Sequence, residues 1–413
     1  MKVVVAHNFY QQPGGEDQSF AAEVAALRTD GFDVTEYTVH NDAVAQIGRL
    51  RTAAKTVWNH DGFRDCRALL RRVRPDIVHL QNTFPLISPS ASYAAKQEGI
   101  PVVQSLRNYR LLCPNGLFFR DGAVCEECLN RSVPWPAVRH KCYRGSAAGS
   151  AVVAAMLTIH RGAGTWSGNG GGPVDQFIAL TEFSRRKLIE GGLPADRIAV
   201  KPNFVTPDPG PGAGAGGYAM FVGRLSEEKG LHTLLKAWET LGPRVPLKIV
   251  GDGPLAPLVR AAAERSPHVQ WLGRRPAHEV YDIAGDARFL VLPSEWYETF
   301  GRVAVEAFAK GTPVLASRLG AMTELVDDGR TGYLFTPGDA DDLAAKVDLM
   351  LSQSPLRAAE MRRAARLEFE AKYTAARNVQ MMREIYERVL ARRRSGAVPV
   401  PERPALAIAG QSQ

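Results

Sequence analysis

The chain has 413 residues, of which 45% are apolar and 23% charged, and 51 Lys and Arg stand against 43 Asp and Glu for a net charge of +8. That length exceeds one ordinary core and suits two α/β domains plus a tail, and the composition is that of a globular protein. No stretch reaches the roughly 20 apolar residues that a membrane-spanning helix requires, and Ala147–Ile159, the nearest, reads as a buried helix.

The opening MKVVVAHNFY carries too short an apolar run for a secretory leader and reads as a first buried strand. A cytoplasmic chain without structural disulfides is therefore expected. Strand-length apolar runs follow at Asp33–Tyr37, Asp76–Leu80, Pro101–Ser105 and Gln176–Leu180. Helical patterns lie between them at Glu16–Thr29, Phe63–Val73 and Ser90–Gln97. Such alternation predicts parallel sheets built of βαβ units. Residues 206–217, TPDPGPGAGAGG, cannot pack a core and read as a linker. The alternation then restarts, with strands at Tyr218–Val222, Leu247–Val250, Val269–Leu272, Phe289–Leu292 and Pro313–Ala316 and helices at Leu231–Leu241, Leu255–Arg265, Arg302–Lys310 and Asp341–Leu351. Pro355–Arg394 is charged and helical, and the end of the chain reads as a disordered tail.

The expected division is a first domain over 1–205 with a cysteine-rich insertion at 107–145, a linker at 206–217 and a second domain over 218–375. A helix at 376–395 crosses back to the first domain, and a tail covers 396–413. Two doubly wound, Rossmann-like domains face each other across a cleft, where ligands of such sheets bind.

Two segments carry the chemistry. In VGRLSEEKG, Val222–Gly230, a strand runs into a turn whose Gly223 offers free backbone N–H groups. Arg224 and Lys229 flank that turn and suit a diphosphate, the first by paired hydrogen bonds and the second as a point charge. Read alone, they are equally well two solvated cations. The second segment, Leu292–Ser317, ends a strand near Pro293, carries Glu298 and Phe300 in a loop and starts a helix at Gly301. Glu306 follows eight positions after Glu298, among Val303, Val305, Ala307 and Phe308, where a carboxylate without a task is disfavoured. A helix N-terminus between two carboxylates can hold phosphate while the carboxylates accept sugar hydroxyls.

These segments, with VGDGP at Val250–Pro254 and GAMTELVDDGRTGYLF at Gly320–Phe335, resemble the donor half of the retaining family 4 glycosyltransferases, which have the GT-B fold. The resemblance implies that Arg224 and Lys229 bind a donor diphosphate, that Glu298 contacts the transferred sugar and Glu306 the ribose, and that Phe300 and Gly301 supply N–H groups. Glu324 occupies the family's next acidic position. The first half resembles family members linked to bacterial surface-polysaccharide assembly. Its Gly14 and Gly15 lie between the first strand and helix, and Arg107 and Asn108 follow the fourth strand on the acceptor or donor-sugar side. The family usually has a histidine where Arg107 stands. The implied activity is transfer of a sugar from a UDP- or GDP-sugar to a glycan or lipid-linked acceptor, with retention and without a catalytic metal. The departure at Arg107 leaves a second reading, a nucleotide-sugar binder without turnover.

Four of five cysteines, Cys113, Cys125, Cys128 and Cys142, fall in the insertion with spacing C-x11-C-x2-C-x13-C. That pattern suits a structural all-cysteine zinc site, with His140 as a substitute ligand, against the rival readings of buried thiols or a redox pair. The basic runs Arg71, Arg72 and Arg74, Arg185–Lys187 and Arg392–Arg394 suit an anionic membrane surface at the inner face of the cytoplasmic membrane, or are solvated faces. No compact basic module with interleaved aromatics occurs, so nucleic acid is not an expected partner.

Overall fold

The computed structural model describes residues 1–12, 14–167 and 171–395. The tail expected over 396–413 lies outside them. Strands of the first half are β1 (Lys2–Phe9), β2 (Asp33–His40), β3 (Ile77–Leu80), β4 (Val102–Ser105), β5 (Phe119–Arg120), β6 (Ala123–Val124), β7 (Gln176–Ala179) and β8 (Ile198–Val200). The second half adds β9 (Ala219–Val222), β10 (Leu247–Val250), β11 (Val269–Gly273), β12 (Phe289–Leu292), β13 (Val314–Ser317) and β14 (Gly332–Phe335). Two six-stranded sheets result, ordered β2-β1-β3-β4-β7-β8 and β11-β10-β9-β12-β13-β14, with a separate β5-β6 hairpin. Every pairing within the two large sheets is parallel.

Parallel strands covered on both faces need continuous rather than alternating apolar runs. Val3, Val4 and Val5 of β1 and Phe289, Leu290 and Val291 of β12 are fully buried accordingly. Each sheet reverses its strand order once, between β1 and β3 in the first and between β9 and β12 in the second. A crevice opens there beyond the carboxyl ends of the strands. The segments singled out in the sequence, Val222–Gly230 and Leu292–Gly301, leave β9 and β12 and therefore meet at the second crevice.

The structure adds detail at three places. The charged stretch Pro355–Arg394 is helical in two elements, Pro355–Lys372 and Ala375–Ser395. The break falls at Tyr373, whose carbonyl accepts the Val205 amide at 3.1 Å, so the chain leaving the first sheet is tied to the point where the helix breaks. The Gly/Pro segment is strapped to the second domain and is not a free connection: Gly212 N donates to Lys310 O, and Gly214 N to Gly285 O, both at 2.9 Å. Finally, β8, β14 and the hairpin were not anticipated.

The helix Ala375–Ser395 buries Val379, Met382, Ile385, Tyr386 and Val389 against Val3, Val5, Phe20 and Val24 of the first domain. Below it lies a buried charge network. Glu23, on the helix Gly15–Thr29, holds Lys201 Nζ at 2.8 Å, Arg107 at 3.3 Å and Gln81 Nε2 at 2.6 Å. Lys201 also donates to Asn378 of the returning helix at 2.9 Å, and His79 bridges Tyr386 OH and Ser105 Oγ, each at 2.8 Å. Burial alone would push the Glu23 carboxyl up, but Lys201, Arg107 and His79 outweigh it and hold it near about 2. Burial depresses the neighbouring His79 to about 4.

Removing one member of a buried ion pair strands its partners, at a cost of about 3–5 kcal/mol. Glu23→Gln should lose that much in urea denaturation, with Lys201 and Arg107 left facing each other. Wild-type stability should also depend on acid in a defined window. His79 stays neutral in the folded chain down to about pH 4 while the unfolded imidazole gains its proton near 6.5. Denaturation midpoints should therefore be flat above neutrality, decline as the pH falls from about 6.5, and decline more steeply below about 4.5 as unfolded Glu23 is protonated.

Candidate active site

At the second crevice the β9 and β12 turns are locked together. Glu295 N donates to Glu228 O at 2.9 Å, and Thr233 Oγ1 donates to the Glu295 carboxylate at 2.6 Å. Gly230 sits where they touch, at φ +67°, and a Cβ there would stand 1.8 Å from the Pro293 carbonyl oxygen. No other residue type fits this point of contact.

The turns bring Lys229 and Glu298 into direct contact. Glu298 Oε1 accepts from Lys229 Nζ at 2.5 Å, Ser294 Oγ at 2.8 Å and Trp296 Nε1 at 3.0 Å. The Lys229 ammonium lies 5.1 Å from the Trp296 ring centroid, a cation–π contact. Arg224 is exposed on the same turn as Lys229, and its side chain makes no hydrogen bond or ion pair among the described residues. Phe300 is buried, and Gly301, at φ +86°, opens the helix Arg302–Ala309. Glu306, one turn from the end of that helix, accepts from Arg302 Nε at 2.8 Å, and burial pushes its carboxyl above the usual range despite Arg302. Gly223 lies under the β10 turn, its N–H donating to Val250 O at 3.0 Å.

Glu324 is placed differently. It accepts the backbone N–H of Glu182 at 2.8 Å and approaches Arg186 at 3.4 Å. Both partners belong to the first-domain helix Glu182–Glu190, so in this structure Glu324 latches the two domains across the cleft. Thr299 makes a second latch. Its Oγ1 donates to Arg107 O at 3.0 Å, and its carbonyl accepts from Ser184 Oγ at 3.0 Å.

On the first domain, Gly14 N donates to Asp17 Oδ2 at 3.1 Å, and a Cβ at Gly14 or Gly15 would meet nothing within 4 Å. The guanidinium of Arg107 is turned inward, to Gln81, Asn203 and Glu23. Asn108 Nδ2 reaches Glu16 Oε1 at 2.9 Å. A cavity of about 680 Å3, counting its open mouth, lies here, lined by Glu16, Asn82, Phe84, Asn108, Arg110 and Trp166 among others. Sequence reasoning missed Arg110. Its guanidinium stacks 4.1 Å above Phe84, and its Nε is buried without a hydrogen-bond partner.

The four insertion cysteines are all free and line one small cavity, whereas His140 is turned to Glu127 at 3.3 Å. Among the described residues no group of three or more His, Cys, Asp or Glu side chains is already arranged to hold a metal ion. The basic runs are largely engaged: Arg71 with Glu98, Lys187 with Glu126 and Glu190, and Arg393 with Asp175. No described helix is long and apolar enough to cross a membrane.

Two α/β domains whose crevices face one another define the GT-B architecture. Comparison with known proteins agrees for each half. Residues 3–203 match the family described as "Glycosyl transferase 4-like domain", and residues 214–368 the family described as "Glycosyl transferases group 1". The chain belongs to the GT-B glycosyltransferases whose two halves these families describe. Among curated relatives, an uncharacterized glycosyltransferase of Methanocaldococcus jannaschii is 29% identical over 215 residues, 52% of this chain and 59% of the relative. Glycogen synthase of Mycobacterium tuberculosis is 32% identical over 191 residues, 45% of each chain. The chain thus spans about half the length of these relatives. The crystal structure of Anabaena Alr3699/HepE in complex with UDP and glucose superposes with a TM-score of 0.67 at 18% identity, covering 94% of this chain and 99% of that one.

Gly230→Ala should destabilise the chain by at least about 1–2 kcal/mol, the cost of a side chain in the left-handed region, before the clash with Pro293 is counted. Gly15→Ala, with open space around its Cβ, should melt with the wild type. Thermal denaturation of the two variants side by side checks the comparison.

Proposed function

We propose that the chain transfers a glycosyl group from a nucleoside-diphosphate sugar, held at the second-domain crevice, to a hydroxyl of an acceptor held in the first-domain cavity. The observation that carries this reading is the arrangement of Arg224, Lys229, Glu298 and the Gly301 helix end around a single crevice. Two cations and a helix N-terminus suit a diphosphate, and the carboxylate suits sugar hydroxyls. A UDP-sugar is the first donor to test, because UDP is bound in the Anabaena relative, and a GDP-sugar is the second. The acceptor is a glycan or a lipid-linked glycan, as in cell-surface polysaccharide assembly. Exposed Arg72 and Arg74 leave positive charge on the first domain, which suits an anionic inner membrane surface.

In the proposed reaction the bond between the anomeric carbon and the diphosphate oxygen breaks. Arg224, Lys229 and the helix end stabilise the charge that develops on the departing diphosphate. On this reading these cations do the work a divalent ion performs elsewhere, and the proposed reaction uses no metal. The acceptor oxygen then bonds to the same face of the sugar and its proton leaves with the diphosphate, which retains the anomeric configuration. Arg107, committed to Glu23, Gln81 and Asn203, contributes shape and its backbone carbonyl rather than proton transfer. The Thr299 and Glu324 latches hold the cleft shut against water.

Purified protein should be stabilised against heat by one nucleotide sugar from a panel of UDP-, GDP-, ADP- and dTDP-sugars and should hydrolyse it slowly. Arg224→Ala should weaken that binding by about 1.5–3 kcal/mol, the range for hydrogen bonds to charged groups. Glu298→Ala should abolish turnover. A panel that leaves the melting temperature unchanged, with no sugar released, would sink the reading.

A further inference from the structure

The cysteine-rich insertion at 107–145 has little regular structure. Its regular structure is a hairpin of two-residue strands and the short helix Pro136–Arg139. Of the seven described non-glycine residues with positive φ, five lie here: Phe118, Asp121, Asn130, Lys141 and Arg144. Each such residue costs on the order of 1 kcal/mol. Tyr109, Leu112 and Phe118 anchor it in the first-domain core, but a segment so rich in strained turns and so short of regular structure gains from a cross-link.

Cys113, Cys125, Cys128 and Cys142 supply the groups for one. They come from three stretches of the insertion, at 113, 125–128 and 142, yet all four line the same small cavity together with Arg120. No disulfide joins them. We propose that these four side chains form a closed tetrathiolate site for a thiophilic divalent cation of the zinc class, and that this site is the staple of the insertion. Four sulfurs and no oxygen or imidazole select such a cation over calcium or magnesium, and four protein ligands leave no open position for catalysis.

Two of the thiols have oxygen partners in the structure. As S–H groups they donate to oxygen: Cys113 Sγ to Asn115 Oδ1 at 3.0 Å, and Cys128 Sγ, more weakly, to Pro134 O at 3.9 Å. Metal binding removes the four thiol protons and ends those donations, so the sulfurs are free to turn to the cation. The complex of a divalent cation with four thiolates carries a net charge of 2−. Arg120, on the cavity wall, stands beside that charge.

The staple reaches the active site through two contacts. Glu126, between Cys125 and Cys128, lies 2.7 Å from Lys187 Nζ, and the Phe118 ring meets the Tyr297 ring edge-to-face at 6.2 Å. Tyr297 precedes Glu298. The metal site therefore fixes the wall against which the sugar-binding loop rests, without touching the reacting atoms.

The test is metal analysis of the whole chain, purified without chelator after growth in zinc-supplemented medium. One zinc per chain is expected, and Cys125→Ser with Cys128→Ser should leave a small fraction of it. Cobalt(II) added to stripped wild type should give the intense thiolate-to-metal charge-transfer absorption of a sulfur-only tetrahedral site. Should the double variant fail to fold, the wild type still decides. Stripping its zinc should expose four further thiols to a thiol reagent and open 118–144 to proteases. A folded wild-type chain that binds neither zinc nor cobalt, with its cysteines free or paired as disulfides by mass, overturns the proposal whether or not nucleotide sugars bind.

Discussion

The order of strands in each parallel sheet reverses once, and everything functional here hangs on where it does. At that reversal adjacent strands send their loops to opposite faces of the sheet, leaving a gap that no side chain of the sheet fills. In the second domain the gap falls between β9 and β12, so a basic turn and an acidic loop distant in sequence become neighbours. In the first it falls between β1 and β3, below the Gly14–Gly15 turn and beside the polar cavity. The two gaps face each other because Thr299 and Glu324 of one domain bond to backbone groups of the other.

The floor of the first crevice is electrostatic rather than oily. Glu23 sits between Lys201 and Arg107 with almost no access to solvent, and the returning helix closes the network through Asn378 and Tyr386. An isolated charge at that depth would be prohibitive, and each cation is tolerable only because the carboxylate is there. Arg107, which occupies the usual histidine position of the resembling family, thereby becomes part of the scaffold. Its side chain is spent on the interior, and only its carbonyl faces the partner domain.

Sheet, helix and crevice were legible because buried parallel strands must be continuously apolar and helices must repeat at 3.6 residues. The basic turn and the Glu298 loop could be read because each follows directly on such a strand. Glu23 left a trace that went unread. Phe20, Val24 and Leu27 mark the buried stripe of their helix, and Glu23 falls on it, where a carboxylate demands a partner. Lys201 is 178 positions away, and local sequence could not point to it. Glu324 could be placed at the family's acidic position, but the amide it accepts belongs to a helix on the other domain, a relation that exists only after folding. β8 and β14 escaped notice because they are short edge strands of three and four residues, and Arg110 because an orphaned guanidinium is invisible until its surroundings are known.

The Lys229–Glu298 pair has a consequence for the traffic through the site. On the proposed reading a diphosphate draws the ammonium away from the carboxylate, and the hydroxyls of an attached sugar replace it. A spent nucleotide brings the phosphates without the sugar. It would take Lys229 and leave Glu298 with only Ser294 and Trp296 for company. The product is therefore bound against a deficit that the substrate does not face, and the same two side chains that receive the donor also favour the exit of what remains of it.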